Sequence, residues 1–275
     1  IRGDSSFNTC LGNGTAIKAM ADGTMCATSF VGSGANLTDV GFDPDAQQNL
    51  YAGTNAGAAS DADTFRNIAI GCKSGCSLNA GDDNVFLGTE AGKSTTSGSY
   101  NIFLGGYVGT TNTTGACNFA AGFFAAKCRN SGTGIFIGKY AGMGCNGATG
   151  ADNIALGGEA GRCSTSGADN IFLGREAGKC STSGGSNIFL GQEAGKCNTT
   201  GAGNIFLGAE AASNGTVTGG CNVAIGRLSA ANITSGTKNV FVGEYAGCGA
   251  TNCSSNVFVG DQAGRCSDGS CNIFL

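Results

Sequence analysis

Cysteine is the residue type with the most chemistry to offer here, since the 275 residues include 15 cysteines and no histidine. Cys163, Cys180 and Cys197 stand 17 residues apart. Cys128 and Cys266 hold the same place in their copies of a repeat, while Cys145 and Cys248 are displaced by one. If copies stack like neighbouring strands, at about 4.8 Å, the Cα atoms of successive cysteines fall inside the window for a disulfide. The pairs this predicts are Cys128–Cys145, Cys163–Cys180 or Cys180–Cys197, Cys248–Cys266 and Cys253–Cys271. An odd count leaves at least one thiol free or joined to another chain. The alternative is a column of reduced cysteines acting as small hydrophobes. A disulfide framework implies an extracellular, oxidising setting. Metal binding has less support, because the tight spacing Cys72 to Cys76 lacks a second matching pair and no histidine is present.

Carboxylates recur with the same interval, as Glu159, Glu176, Glu193 and Glu210, with Glu90 in an earlier copy. Lys93, Arg162, Lys179 and Lys196 follow three residues behind their glutamates and offset the like charges, as on a solvated face. The Asp-rich Gly repeat of calcium-binding β-rolls is missing. General acid–base chemistry with histidine is impossible, and no nucleophile sits beside a base in a recognisable pattern. A cleft built on stacked coils needs long loops between them, and the insertions here are one or two residues. No enzyme activity and no cofactor are expected. Seven Asn-x-Ser/Thr sequons, at Asn13, Asn36, Asn112, Asn198, Asn214, Asn232 and Asn252, are possible glycosylation sites, most of them in the polar third of the repeat. Arg2-Gly3-Asp4 is an integrin-type triplet too short to carry weight.

What must position these residues is a repeat. The pentapeptide Asn-aliphatic-Phe/Ala-aliphatic-Gly starts at Asn49, Asn67, Asn84, Asn101, Asn118, Gly134, Asn153, Asn170, Asn187, Asn204, Asn222, Asn239, Asn256 and Asn272. Most spacings are 17, with adjustments of one or two residues. Looser copies lie at Asn8–Gly12 and Thr28–Gly32, so residues 1–48 read as irregular N-terminal coils or a cap, and 49–275 as one continuous regular solenoid. Each unit has one alternating β-type run, with Gly at position 5 and often at 9 and 15. Segments of three to five residues suit short strands and tight corners but not a helix. The fold class is therefore all-β: a parallel β-solenoid of about 17-residue coils stacked about 4.8 Å apart.

Stacking turns each repeat position into a column. Positions 2 and 4 (Ile171 and Leu173, Ile188 and Leu190, Val240 and Val242) share one side, which the alternation assigns to the core. Position 3 then points away, yet it is Phe in Phe86, Phe103, Phe136, Phe172, Phe189, Phe206, Phe241, Phe258 and Phe274. Two readings follow for this stripe. It is covered, by a corner, by another wall or by facing inward with the aliphatic pair outward; or it is an interface that unites rods. Asn at position 1, as in Asn153, Asn170, Asn187 and Asn204, forms a ladder of amides bonded from rung to rung. Thr recurs at position 13 (Thr96, Thr113, Thr165, Thr182, Thr199, Thr216, Thr234 and Thr251), and a flat Thr array binds ice when two ranks point outward. Position 14 is expected to point opposite to 13.

Composition narrows the classes further. The 51 glycines without Pro enrichment exclude collagen, and the net charge of −4 without a basic block argues against nucleic acid. No apolar run approaches the roughly 18 residues that span a bilayer, so no membrane insertion is expected. The N-terminus shows no signal-type segment, and the sequence reads as a mature or excised piece. The copies reading N-I-F-L-G-x-E-A-G-x-C-x-T-x-G at Asn170–Gly184 resemble Gly-rich repeats of phage and bacterial fibre and surface proteins. Asn153–Gly157 (NIALG) and Asn222–Gly226 (NVAIG) resemble the head repeat of trimeric autotransporter adhesins. That resemblance implies a left-handed parallel β-roll at a cell or virion surface. The longer unit, the Phe and the many cysteines depart from the adhesin pattern and favour a fibre or filament subunit. The sequence stops in mid-unit at Asn272–Leu275, so a further expectation is end-to-end stacking on Ile1–Gly12 of a second subunit, unless the array simply continues. The function expected is an elongated extracellular fibre or filament that self-associates. The alternatives are a surface adhesin with a host-surface or glycan ligand, and an ice-binding protein.

Overall fold

In a computed structural model the described residues are 7–10, 16–19, 25–26, 44–130, 132–144 and 147–275. The chain divides into two units, Ile1–Phe42 and Asp43–Leu275. In the first, β1 (Phe7–Cys10), β2 (Ala16–Ala19) and β3 (Met25–Cys26) form an antiparallel sheet in the order β1-β2-β3. The loose copy beginning at Asn8 is therefore not a parallel rung, because Asn8 pairs with Lys18 in a hairpin. Thr28–Gly32, Asn13, Asn36, Arg2-Gly3-Asp4 and Cys145 lie outside the described residues.

The second unit is a parallel β-solenoid. Its strands are β4 (Leu50–Ala52), β5 (Ile68–Ile70), β6 (Val85–Leu87), β7 (Ile102–Leu104), β8 (Asn118–Ala121), β9 (Gly134–Ile137) and β10 (Asn153–Leu156). They continue as β11 (Ile171–Leu173), β12 (Ile188–Leu190), β13 (Ile205–Leu207), β14 (Val223–Ile225), β15 (Val240–Val242), β16 (Val257–Val259) and β17 (Ile273–Phe274). They form one 14-stranded sheet in strict sequence order. Register follows the repeat, Ile171 beside Ile188 beside Ile205, so position matches position along the stack. Pairing continues around the turns: Gly178 donates to Ala194 O, Cys180 to Lys196 O and Thr182 to Thr199 O, while Glu193 donates back to Arg175 O and Ser186 to Ala168 O. Hydrogen bonds thus run from coil to coil through the corners as well as through the strands, and turn bonds within a coil, such as Ala177 to Gly174 O and Ser181 to Gly178 O, satisfy much of the rest.

Corners of this kind need backbone that turns the wrong way for L-residues. Gly174 at position 5 has φ 134°, and a Cβ there would sit 2.5 Å from the carbonyl oxygen of Gly191 in the next coil. Gly178 at position 9 has φ 58°, and its Cβ would meet the Phe172 ring at 2.5 Å. Positions 7 and 17 adopt the left-handed region without glycine, as Glu176 (φ 60°) and Ser186 (φ 58°) do. Each such residue costs roughly 1–2 kcal/mol, offset by the inter-coil bonds that its geometry permits.

The core reverses the side assignment made from alternation. Position 3 points inward, and Phe172 is 1 % exposed with Phe86, Phe103, Phe136, Phe189, Phe206, Phe241 and Phe258 equally buried. Positions 2 and 4 point outward. The rings stack face to face along the axis, with centroids 5.3 Å apart for Phe172 and Phe189 and 4.9 Å for Phe189 and Phe206. The space comes from Ala at position 8 (Ala177, Ala194), Gly at position 9 and a small polar residue at position 12 such as Ser181. Two coils exchange volume between positions 3 and 12, although the coil of Ala155 keeps the small Ser164. Where position 3 shrinks to Ala69 or Ala224, position 12 grows to Leu78 or Ile233, and all four are buried.

Candidate functional site

The Phe column is thus packing and not an interface; Phe274, in the last strand, is its exposed member. The surface with unassigned apolar area is the opposite face of the same sheet. Its two ranks are aliphatic or aromatic without a charged residue from Leu50 and Ala52 through Val257 and Val259. They remain half-buried or exposed, with Ile102 at 38 % and Ile135 at 41 %. Parallel sheets normally bury both faces. This one covers only the inner.

Two edges border this face, at position 17 before each strand and position 6 after it. The first carries Arg66, Asp83, Tyr100, Cys117, Asp152, Asp169 and Lys238; the second carries Phe123, Lys139, Arg175, Arg227, Glu244 and Asp261. Arg66 closes a bidentate ion pair on Asp83 one coil away, at 2.7 and 2.9 Å. A shallow depression of about 490 Å³ opens beside the position-17 edge at β8 to β10, lined by Cys117, Phe119, Ile135, Asp152 and Ile154 among others. It lies where the repeat is irregular: Gly134 replaces the position-1 asparagine, and the Phe136 ring leans to within 2.5 Å of where a Cβ would stand.

The asparagine ladder lies inside. Asn187 donates its backbone N–H and its side-chain amide to Asn170 Oδ1, both at 3.0 Å, and the same amide to Gly201 O at 2.9 Å. Asn170 does the same to Asn153 and Gly184, and Asn204 donates its backbone N–H to Asn187 Oδ1. Every amide in this run is buried. The ladder clamps successive coils and presents nothing to a ligand.

Glutamates and lysines form a zipper on another side. Lys179 bridges Glu159 at 2.7 Å and Glu176 at 3.3 Å, and Lys196 bridges Glu176 at 3.0 Å and Glu193 at 3.1 Å. The lysine hydrogen bonds hold Glu159, Glu176 and Glu193 below the usual carboxylate range, and the same contacts raise Lys179 and Lys196. In three successive coils the glutamate gives way to Tyr107, Phe124 and Tyr140, stacked at 5.0 and 5.6 Å.

Among the described residues the pairs Cys163–Cys180, Cys180–Cys197, Cys248–Cys266 and Cys253–Cys271 do not form: Cys180, Cys197, Cys248, Cys253, Cys266 and Cys271 are free, as is Cys128, whose expected partner Cys145 lies outside the described residues. In-register columns keep successive Cβ vectors parallel, and a spacing near 4.8 Å exceeds the roughly 3.8 Å Cβ separation a disulfide takes. Cys253 and Cys271 even face opposite ways, one buried and one exposed. Burial raises the Cys197, Cys248 and Cys253 thiols above their ordinary value. Free thiols at these described positions give an oxidising setting no support.

The polar columns are also re-sorted. Thr182 is half-buried and Ser183 exposed, so positions 13 and 14 share the solvent side of a turn and do not oppose each other. The Thr hydroxyls are engaged, Thr165 donating to Thr182 O and Thr182 to Thr199 O at 3.0 Å each. Val217, not Thr216, accepts from the Thr199 N–H and continues that register. Asn112 and Asn198 are buried and bonded to Gly115 O and Gly201 O, which closes these two sequons to a glycan; Asn214, Asn232 and Asn252 reach the surface. Among the described residues, no group of three or more His, Cys, Asp or Glu side chains is placed to hold a metal ion. Among them, too, no helix is long and apolar enough to cross a membrane.

Sequence reasoning missed Arg129. It takes position 12 beside Ala120, 4 % exposed, with its guanidinium 4.7 Å from the Phe136 ring centre. Nη2 donates to Gly150 O, while Nε and Nη1 have no hydrogen-bond partner, and burial lowers its pKa to about 10. An arginine in a column otherwise filled by uncharged residues, such as Ser181, Asn198, Ala250, Leu78 and Ile233, was the available signal.

No protein-family model, curated protein or solved structure matches the chain. The parallel β-solenoid is a fold that fibrous and repeat proteins use, and the likeness to phage-fibre and adhesin repeats stays one of repeat type, with no tie to a particular family. The second unit of the chain is an elongated, repetitive β-solenoid scaffold.

Proposed function

We propose that this protein is a structural subunit of a fibre or filament at a cell or virion surface, and that its solenoids associate through their outward sheet faces. The carrying observation is the uncharged double rank of aliphatic side chains on the outer side of β4 to β16. At about 4.8 Å per coil and about 16 Å across five extended residues, the face spans on the order of 1,000 Å². Soluble monomers rarely expose a contiguous apolar patch beyond a few hundred Å². The rest of the surface argues against an adhesin pocket or an ice plane: the zipper and the engaged Thr hydroxyls satisfy themselves within the chain. The surface location rests on the resemblance of the repeat.

Light scattering and electron microscopy of the purified chain at rising concentration test the reading. The native chain is expected to assemble, and Ile188→Lys with Ile205→Lys to stay monomeric at an unchanged melting temperature, because both side chains point outward. A native chain that remains a monomer at about 100 µM contradicts the proposal.

A further inference from the structure

We infer that the occupant of the outward face is another copy of this chain, packed parallel and in coil-for-coil register about an axis running along the stacking direction. This inference rests on the lateral reading above and adds orientation and register to it. Such an axis brings the position-17 edge of one copy against the position-6 edge of the next at the same height. An axis across the stack reverses the coil order and brings like edges together instead.

The charges on the two edges fit the first arrangement. β11 has Asp169 on one edge and Arg175 on the other, and β15 has Lys238 and Glu244; no strand carries like charges on both. All four residues are exposed; Arg175 already pairs with Glu176 and Glu193 and Glu244 with Arg227, whereas among the described residues no ion pair reaches the Asp169 or Lys238 side chain, which leaves these two charges for a neighbour. Parallel register pairs Asp169 of each copy with Arg175 of its neighbour, and Lys238 with Glu244. Because rank meets rank at every height, the contact closes into a ring without an unsatisfied edge.

Shape agrees independently. Phe123, on the position-6 edge beside β8, is 45 % exposed, a large apolar side chain with no cover on its outer side. The depression lined by Cys117, Phe119, Ile135 and Ile154 lies at the same height on the opposite edge. In parallel register the Phe123 of one copy enters the depression of the next, and one coil further on Lys139 comes level with Thr133. Reversing one copy sets β8 against the far half of the stack, where position 6 is the small Ala209 and Phe123 no longer meets the depression at β8 to β10. The face also exceeds the roughly 800 Å² that each partner contributes to a standard stable interface.

Charge exchange tests orientation separately from association. Asp169→Arg with Lys238→Glu makes the meeting edges alike, and assembly is expected to need about 100-fold more protein. Adding Arg175→Asp and Glu244→Lys restores complementarity only in parallel register, and assembly should return to within about threefold of native. Circular dichroism melts check that each variant folds. If the native chain assembles but the fourfold variant stays as weak as the twofold one, or the twofold one is unaffected, the register is wrong and the lateral reading stands. If the native chain does not assemble, both fall.

Discussion

Arg129 is the residue whose behaviour the structure predicts most sharply. A buried guanidinium with two unpartnered nitrogens occupies a place that Leu78 and Ile233 fill with hydrocarbon in coils that also carry Ala at position 3. Arg129→Leu should therefore raise stability by about 1–3 kcal/mol despite losing the contact with Phe136. Chemical denaturation of the two proteins decides it; a lower midpoint for the leucine variant contradicts the packing account. The thiols give a second expectation at this scale. Cys253 is buried and its pKa raised by burial, so at pH 8 iodoacetamide should modify it far more slowly than the exposed Cys72, Cys117, Cys221 and Cys271, read by peptide mass spectrometry.

At the scale of the element, the columns hold coil to coil. Replacing Asn187 by Ala takes the acceptor from the Asn204 N–H and the donor from Asn170 Oδ1 and Gly201 O, all buried. The expected cost is about 2–4 kcal/mol, measured by denaturation, against well under 1 kcal/mol for the exposed Ser183→Ala. The Glu–Lys zipper sets the pH dependence. Glu159, Glu176 and Glu193 titrate below their ordinary 4.5 when folded, so their contribution is present above that value and lost as pH falls through the lowered ones. Lys179 and Lys196 titrate above 10.5, so theirs is present below 10.5 and lost as pH rises past the raised values. Glu176→Gln should flatten the acid limb of melting temperature against pH, at a cost of up to about 1 kcal/mol near neutrality. An unchanged acid limb contradicts the role of the zipper.

The 17-residue period made the solenoid legible because every coil must return to the same register, and spacing alone carries that information. The facing of the strand was less legible, since positions 2, 3 and 4 are all apolar. The deciding clue was parity: Asn187 and Phe189 lie on the same side of the strand, and a continuous amide ladder is stable only when buried. The size exchange between Ala69 and Leu78, or Ala224 and Ile233, carried the same message. The cysteine columns misled because closeness of Cα atoms says nothing about the direction of Cβ. Arg129 and the depression at β8 to β10 arise where the repeat fails, and periodicity does not describe its own exceptions.

For the whole molecule, the central claim is that the outward aliphatic face is an interface between solenoids. Electron cryomicroscopy of the assembled material tests it most directly. The account predicts apposed sheet faces about 10 Å apart, with coils of neighbouring copies level at a meridional spacing near 4.8 Å. Copies that meet through the Glu–Lys side, leaving the faces of Ile171, Ile188 and Ile205 open to solvent, would contradict it.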